Sequence, residues 1–232
     1  MMSEIRYYPI MVDLSGKRCL VVGGGEVACR KVKGLLEAGA DDVILISPTL
    51  HDELKELERN GRIQVVQRGY IPEDINGANL VFAATNQSQM NANIADEARK
   101  LGIWANLADD GAQGSFVTPA VHRQGDLVMA LTTSGASPAL ASRIKQELAL
   151  AYGDEYAERL SVLRLLRARV LHAGARDGSG GEISPAVRRR LLRLAAEDAE
   201  GWKQTAWALR EEPDLAAAEL ERWMESLRMQ LL

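Results

Sequence analysis

The residue types and spacings best suited to chemistry are a glycine cluster near the start of the chain and a carboxylate much further on. Gly23, Gly24 and Gly25 follow the apolar run Cys19-Leu20-Val21-Val22 and lead into Glu26, Val27 and Ala28. Gly23 suits a tight turn, Gly25 has no side chain to hold phosphates away, and Ala28 lets a helix pack closely on a strand. Together they make the G-x-G-x-x-A form of a dinucleotide-binding fingerprint. A helix opening at such a turn presents unpaired N–H groups and a partial positive charge, so the expected ligand is a pyrophosphate. The alternative is a merely tight strand-to-helix turn. The carboxylate is Asp109, which with Asp110 follows the segment Ile103-Trp104-Ala105-Asn106.

The elements that must position these groups follow from apolar periodicity. After the glycines, Val27, Val32, Leu35, Leu36 and Ala38 recur on one helical face; Gly39 ends that helix, and Val43-Ile44-Leu45-Ile46 reads as a parallel strand. A charged helix over 52–59 stops at Asn60-Gly61, and strands are expected at 63–67 and 80–84. Ser88 is expected to cap a helix carrying Ile94, Ala98 and Leu101, closed by Gly102 before a short strand at 103–106. Strands alternating with helices imply a parallel sheet covered on both faces. Beyond Asp110 the pattern changes: 116–122 and 127–132 read as two strands of a hairpin, and Ser137-Pro138 opens a helix whose Leu140, Ile144 and Leu148 share a face. From Glu155 the chain reads as helix, interrupted by a glycine-rich stretch at 174–181, expected as a mobile loop, and restarted by Ser184-Pro185. The fold class is α/β: a Rossmann-like doubly wound parallel sheet over residues 1–112, a small α+β hairpin-plus-helix segment over 113–152 and a helical C-terminal domain over 153–232.

In open α/β sheets ligands lie beyond the carboxyl ends of the strands. Ser47 and Pro48 stand where an acidic residue would commonly hold the adenosine ribose, which leaves that contact to backbone and hydroxyl groups; no arginine stands there either, which favours NAD over NADP. Thr85 and Asn86 end the fourth strand and face the cofactor or simply turn the chain. Asp109 ends the fifth, where a solvated loop aspartate is the commoner role.

Composition narrows the field. The 232 residues are 47% hydrophobic with a formal charge of −4, which gives no support to nucleic-acid or membrane-surface binding. Cys19 and Cys29 are spaced for neither a zinc knuckle nor a redox pair and read as reduced packing residues, and the spacing of His51, His122 and His172 supports no metal site. His51 reads as capping or flanking a helix. The arginine runs at 164–169 and 188–193 read as solvated helix faces, the alternative being that they meet carboxylates of a ligand or of a partner chain. With no bilayer-spanning apolar run and no signal-peptide layout, a cytoplasmic location is expected.

Several blocks, in this order, resemble a known family: Tyr8-Pro9-Ile10-Met11-Val12-Asp13-Leu14, the glycine turn through Val32, Ala84-Thr85-Asn86, Asn106-Leu107-Ala108-Asp109, Gly114-Ser115-Phe116-Val117-Thr118-Pro119-Ala120, and Ser134-Gly135-Ala136-Ser137-Pro138-Ala139-Leu140-Ala141. Over roughly residues 5 to 150 they are similar to the precorrin-2 dehydrogenase and sirohydrochlorin ferrochelatase family, which includes the N-terminal module of siroheme synthases. The resemblance implies NAD-dependent oxidation of precorrin-2 to sirohydrochlorin, in many members followed by insertion of ferrous iron. It implies Asp109 as the shared aspartate, Glu26-Val27 and Ser47-Pro48 as cofactor contacts, and a homodimer joined partly through the central hairpin segment. Precorrin-2 is a polycarboxylate, which makes His122, Arg143 and Lys145 candidates for binding it. Thr133 stands where some relatives carry serine, so a regulatory role does not transfer from that serine. The rival reading from another class is an NAD-sensing regulatory Rossmann module without turnover, which would more typically carry an acidic ribose ligand after the second strand.

Overall fold

The computed structural model describes residues 6–109, 111, 113–172 and 184–231. The chain forms two compact units, residues 1–118 and 119–232. Asp110 and the glycine-rich stretch 174–181 lie outside the described residues.

The first unit is a five-stranded parallel sheet with helices on both faces. In chain order come β1 (Arg18–Val22), α1 (Glu26–Glu37), β2 (Asp42–Ile46), α2 (Asp52–Arg59), β3 (Gln64–Val66), a 3-10 turn (Pro72–Ile75), β4 (Leu80–Ala83), α3 (Ser88–Leu101) and β5 (Trp104–Leu107). The strand order is β3-β2-β1-β4-β5. The near-continuous apolar runs of β1 and β4 are explained by burial on both faces, as parallel central strands require. Side chains alternate across the pleat. Cys19 and Val21 join Val32, Leu35, Leu45 and Phe82 on the α1 side, while Leu20 and Val22 join Val81, Ile94 and Ala98 on the α3 side. Each large aliphatic side chain buried in this way stabilises the fold by about 1.5–3 kcal/mol before entropy is counted.

Local chemistry ends the elements largely as the sequence suggests. Gly102 closes α3 in the left-handed conformation at φ 72°, and His51 caps α2, its Nδ1 accepting from the Glu53 backbone N–H at 3.4 Å. Ser88 does not cap α3. It is the first helical residue, and the capping position belongs to Gln87, whose side chain makes no capping bond.

The segment after Asp109 departs most from expectation. The sixth strand begins at Ala120, not Phe116, because the preceding residues are held along the open edge of β5. The Ser115 and Phe116 N–H groups donate to the Ala105 carbonyl at 2.8 and 3.4 Å, and the Ser115 hydroxyl accepts from the Ala105 N–H at 2.7 Å. The Phe116 ring meets Phe82 edge-on at 5.5 Å. Pro119 has no N–H to offer a ladder, which keeps the strand from starting earlier.

In the second unit β6 (Ala120–Gln124) and β7 (Leu127–Leu131) form an antiparallel hairpin through Gly125 and Asp126. Five helices follow among the described residues: α4 (Pro138–Ala151), α5 (Glu155–His172), α6 (Pro185–Glu197), α7 (Trp202–Glu211) and α8 (Pro213–Met229). The two Ser-Pro signals act as read: the Ser137 hydroxyl accepts from Leu140 N–H at 3.2 Å and that of Ser184 from Val187 N–H at 3.3 Å. Helices α5 to α8 close over a core of Val162, Leu166, Leu191, Trp202, Trp223 and Leu227. On α4 the buried residue is Ala141, whereas Leu140 is 49% exposed.

Lys31 on α1 donates to Thr118 Oγ1 at 2.6 Å and stands 5.9 Å from the Phe82 ring centre. Burial, helped by Arg30, pushes its ammonium down to about 8. The folded chain thus releases this proton before the unfolded chain does, and stability gains from Lys31 as pH rises from about 8 toward the unfolded value near ~10.4. Relative to wild type, Lys31→Met should therefore be favoured more in denaturant melts at about pH 7.5 than at about pH 9.5. An equal difference at both would mean that Lys31 ionises normally.

Candidate active site

Because every strand of the sheet is parallel, all carboxyl ends open on one edge, and the chain reverses its winding between β1 and β4. Gly23 sits at this reversal with φ 121°, a conformation that disfavours any side chain. A Cβ there would overlap the Ala84 carbonyl. Its N–H donates to the Ile46 carbonyl at 2.9 Å, and Ala84 N–H donates to Val22 at 2.8 Å, so the turn is bound to the strands on both sides.

Gly25 differs from Gly23. It occupies the capping position of α1, a Cβ on it would meet nothing within 4 Å, and no side chain caps the helix. The first-turn N–H groups of α1, Glu26 and Val27 among them, are therefore left for an outside acceptor, and the open space at Gly25 suits a phosphate. Gly24 was not singled out by the fingerprint, yet a Cβ there would overlap the Thr49 carbonyl and reach within 2.6 Å of Ser47 Oγ. Only close packing with the β2–α2 loop reveals this requirement.

Ser47 is buried and its hydroxyl donates to the Thr49 carbonyl at 2.7 Å, so it shapes the loop beside the glycine turn, while Pro48 is exposed at its rim. The nearby Arg68 after β3 is held by both carboxylate oxygens of Asp74, at 2.7 and 2.6 Å.

Thr85 and Asn86 follow β4, Asn86 exposed and Thr85 half-buried. Thr85 is fixed by Asn91, a fully buried side chain of α3. Asn91 Oδ1 accepts from the Thr85 N–H at 3.1 Å and hydroxyl at 2.7 Å, and its Nδ2 donates to the Thr85 carbonyl at 3.1 Å. Sequence reasoning passed over Asn91; its one signal is a poor helix former inside an apolar-patterned helix.

Asp109 is exposed, two residues past β5. Ala108 N–H donates to Ala83 at 3.0 Å, which carries the ladder to the residue before it. With β4 between β5 and β1, Asp109 and the glycine turn share an edge about 10 Å apart on strand spacing. Beneath it, Asn106 is 3% exposed; its Nδ2 donates to the Phe116 carbonyl at 3.1 Å, and its Oδ1 has no partner among the described residues. Gly114 is required where a Cβ would come within 2.8 Å of the Ala105 carbonyl.

The three expected substrate contacts lie in the second unit. His122 is buried on β6 with Nε2 bonded to the Tyr152 carbonyl at 2.8 Å. On α4, Arg143 pairs with Glu147 at 3.0 Å and Lys145 is exposed. The Thr133 hydroxyl accepts from the Ser137 N–H at 3.1 Å, a role in shaping the start of α4.

Comparison with known proteins agrees with this geometry. Residues 10–120 match a family described as "Putative NAD(P)-binding". The chain is 38% identical over 142 residues to siroheme synthase 3 of Aeromonas hydrophila and 39% identical over 142 residues to siroheme synthase 1 of Serratia proteamaculans. Each alignment covers 61% of this chain but 30% of the relative, so the chain matches under a third of those proteins' length. A solved structure titled "SirC, precorrin-2 dehydrogenase" superposes with a TM-score of 0.66 at 25% identity, covering 96% of this chain and all of that one. No described helix is long and apolar enough to cross a membrane. The glycine turn at the β1–β4 reversal, the Asn-x-x-Asp end of β5 and likeness along nearly the whole chain converge on one resemblance: the chain is similar to siroheme synthases over part of their length and to a precorrin-2 dehydrogenase over nearly its whole length, with an NAD(P)-binding domain over residues 10–120.

Proposed function

We propose that this protein oxidises precorrin-2 to sirohydrochlorin with NAD as acceptor. The observation that carries the reading is the meeting, on one edge of the sheet, of a glycine cradle shaped for phosphates, the Asn91-braced Thr85 turn and the exposed carboxylate of Asp109. NAD, when bound, supplies the hydride acceptor. The backbone N–H groups at Gly25, Glu26 and Val27 would hold its pyrophosphate, the loop of Ser47 and Pro48 would contact the adenosine ribose, and Thr85 and Asn86 would orient the nicotinamide half. Asp109 takes the proton that the macrocycle loses as its hydride departs, and its exposure lets that proton pass to water. Arg143 and Lys145 would provide cationic contacts to the carboxylates of precorrin-2, and His122, bonded to the Tyr152 carbonyl, would steady the end of α4 that carries them.

NAD would be preferred to NADP because no arginine stands immediately after β2 and Arg68 is already held by Asp74. The β6–β7 hairpin has largely half-buried apolar residues and stands in a sheet of its own, and a two-stranded ribbon is marginal alone. These features support a homodimer formed in part through that segment. Iron insertion is a separate step of the same reading: Asp109 would assist loss of the macrocycle's N–H protons as ferrous iron enters as substrate.

The purified chain should reduce NAD when given precorrin-2, and Asp109→Asn should lower kcat by roughly a hundredfold or more with NAD affinity unchanged. Binding of NAD with no change in the pigment would favour the sensor reading instead. Gly25→Ala should fold with a loss of no more than about 1 kcal/mol, since its Cβ would meet nothing within 4 Å and only the N-cap preference is lost, yet weaken NAD binding by about tenfold or more. Wild-type affinity in that variant would place the pyrophosphate elsewhere. Anaerobic incubation with sirohydrochlorin and ferrous iron should exceed the spontaneous rate of siroheme formation, and a rate no higher than spontaneous would remove the chelatase step.

A further inference from the structure

Beside the glycine turn, three side chains of different donor type converge from two helices. Cys29 lies buried in the second turn of α1, His51 is the half-buried capping residue of α2, and Glu53 is exposed in the first turn of α2. One ligand atom from each, the Cys29 sulfur, an imidazole nitrogen and a Glu53 oxygen, lies within 4.8 Å of the others. We propose that Cys29, His51 and Glu53 form a binding site for a divalent metal of borderline softness, of the zinc or cobalt class.

The donor set argues for that class. Thiolate, imidazole and carboxylate together suit tetrahedral zinc or cobalt, whereas calcium and magnesium take oxygen alone. Bond lengths of about 2.0–2.3 Å place donors in a tetrahedron about 3.5 Å apart, so the existing spacing closes by small rotations of His51 and Glu53, both partly open to solvent. A bound dication would ionise the Cys29 thiol and neutralise the resulting thiolate–carboxylate pair. Glu53 also pairs with Lys33, and its second oxygen can keep that contact while the first turns to the metal.

Three protein ligands leave a fourth position for water or a small ligand. The site would also brace the nucleotide turn, because the His51 N–H donates to the Gly24 carbonyl at 2.7 Å and a metal on the imidazole would fix α2 against α1 at that point. Sequence separation hides this cluster: Cys29 and His51 come together only because α1 and α2 pack on the same face of the sheet, where Cys29 and Leu54 share one core.

The test is a cobalt(II) titration of the reduced, tag-free full chain, followed by zinc competition. One equivalent should bind with a sulfur-to-cobalt charge-transfer band and strong visible bands of a four-coordinate ion, and zinc should displace it. Cys29→Ser should abolish the charge-transfer band, and Cys19→Ser should leave it intact. His51→Ser, which keeps a capping hydroxyl on α2 but removes the imidazole, should weaken binding about tenfold or more. The absence of a thiolate band in the wild-type chain, an unchanged band in Cys29→Ser, or unchanged affinity in His51→Ser would overturn the proposal. Neither precorrin-2 nor NAD enters the measurement, so its result stands apart from that of the dehydrogenase assay.

Discussion

The constraint on which the rest of the first unit depends is the contact of Gly23 with the Ala84 carbonyl across the β1–β4 seam. A single added carbon at Gly23 would overlap that carbonyl, and its φ of 121° would cost an L-residue about 1–2 kcal/mol besides. Because the seam closes, β1 pairs with β2 on one side and β4 on the other up to its last residue, and the Gly23 N–H extends the bonding to the Ile46 carbonyl. A wider seam would move α1 and its open amino end away from the crevice. The same economy of space repeats at Gly24 against the β2–α2 loop and at Gly114 against β5. Gly23, Gly24 and Gly114 thus set three close approaches, while a Cβ on Gly25, in the same turn, would meet open space.

The far side of the crevice is built by polar braces more than by apolar packing. Asn91 fixes the Thr85 turn with hydrogen bonds to its N–H, carbonyl and hydroxyl, and each is strengthened by burial away from competing water. Ser115 substitutes its hydroxyl for a strand residue along β5, which covers an edge that would otherwise present unpaired backbone. Asn106 joins this brace through the Phe116 carbonyl. The strand that leads to Asp109 is thus held on both sides, by β4 and by the Ser115-Phe116 segment.

Charge is distributed in keeping with an anionic ligand despite the net −4. Several arginines of the second unit are engaged locally: Arg169 with Glu221, Arg193 with Glu197, Arg210 with Glu158 and Glu211, and Arg222 with Glu219. These exposed pairs add little stability individually. Their effect is to leave the surface balanced in sign while single cations such as Lys145 remain exposed on α4.

The sequence by itself determined the parallel α/β class, the glycine turn, the two Ser-Pro helix starts and the helical second half, because each rests on interactions within a few residues: periodic burial, a capping oxygen, a missing Cβ. The strand ends bearing Ser47, Thr85 and Asp109 were legible for the same reason, since apolar runs stop where the sheet stops. Tertiary structure alone decided the rest. Phe116 left its expected strand because its ring and the Ser115 hydroxyl found partners on β4 and β5, an alternative no local pattern encodes. Asn91 became the brace of Thr85 in place of a Ser88 cap, and Gly24 became obligatory, through contacts with chain beyond its own turn. Cys29, His51 and Glu53 met only when two helices packed side by side, since the distance between donor atoms is a property of helix packing and not of spacing along the chain.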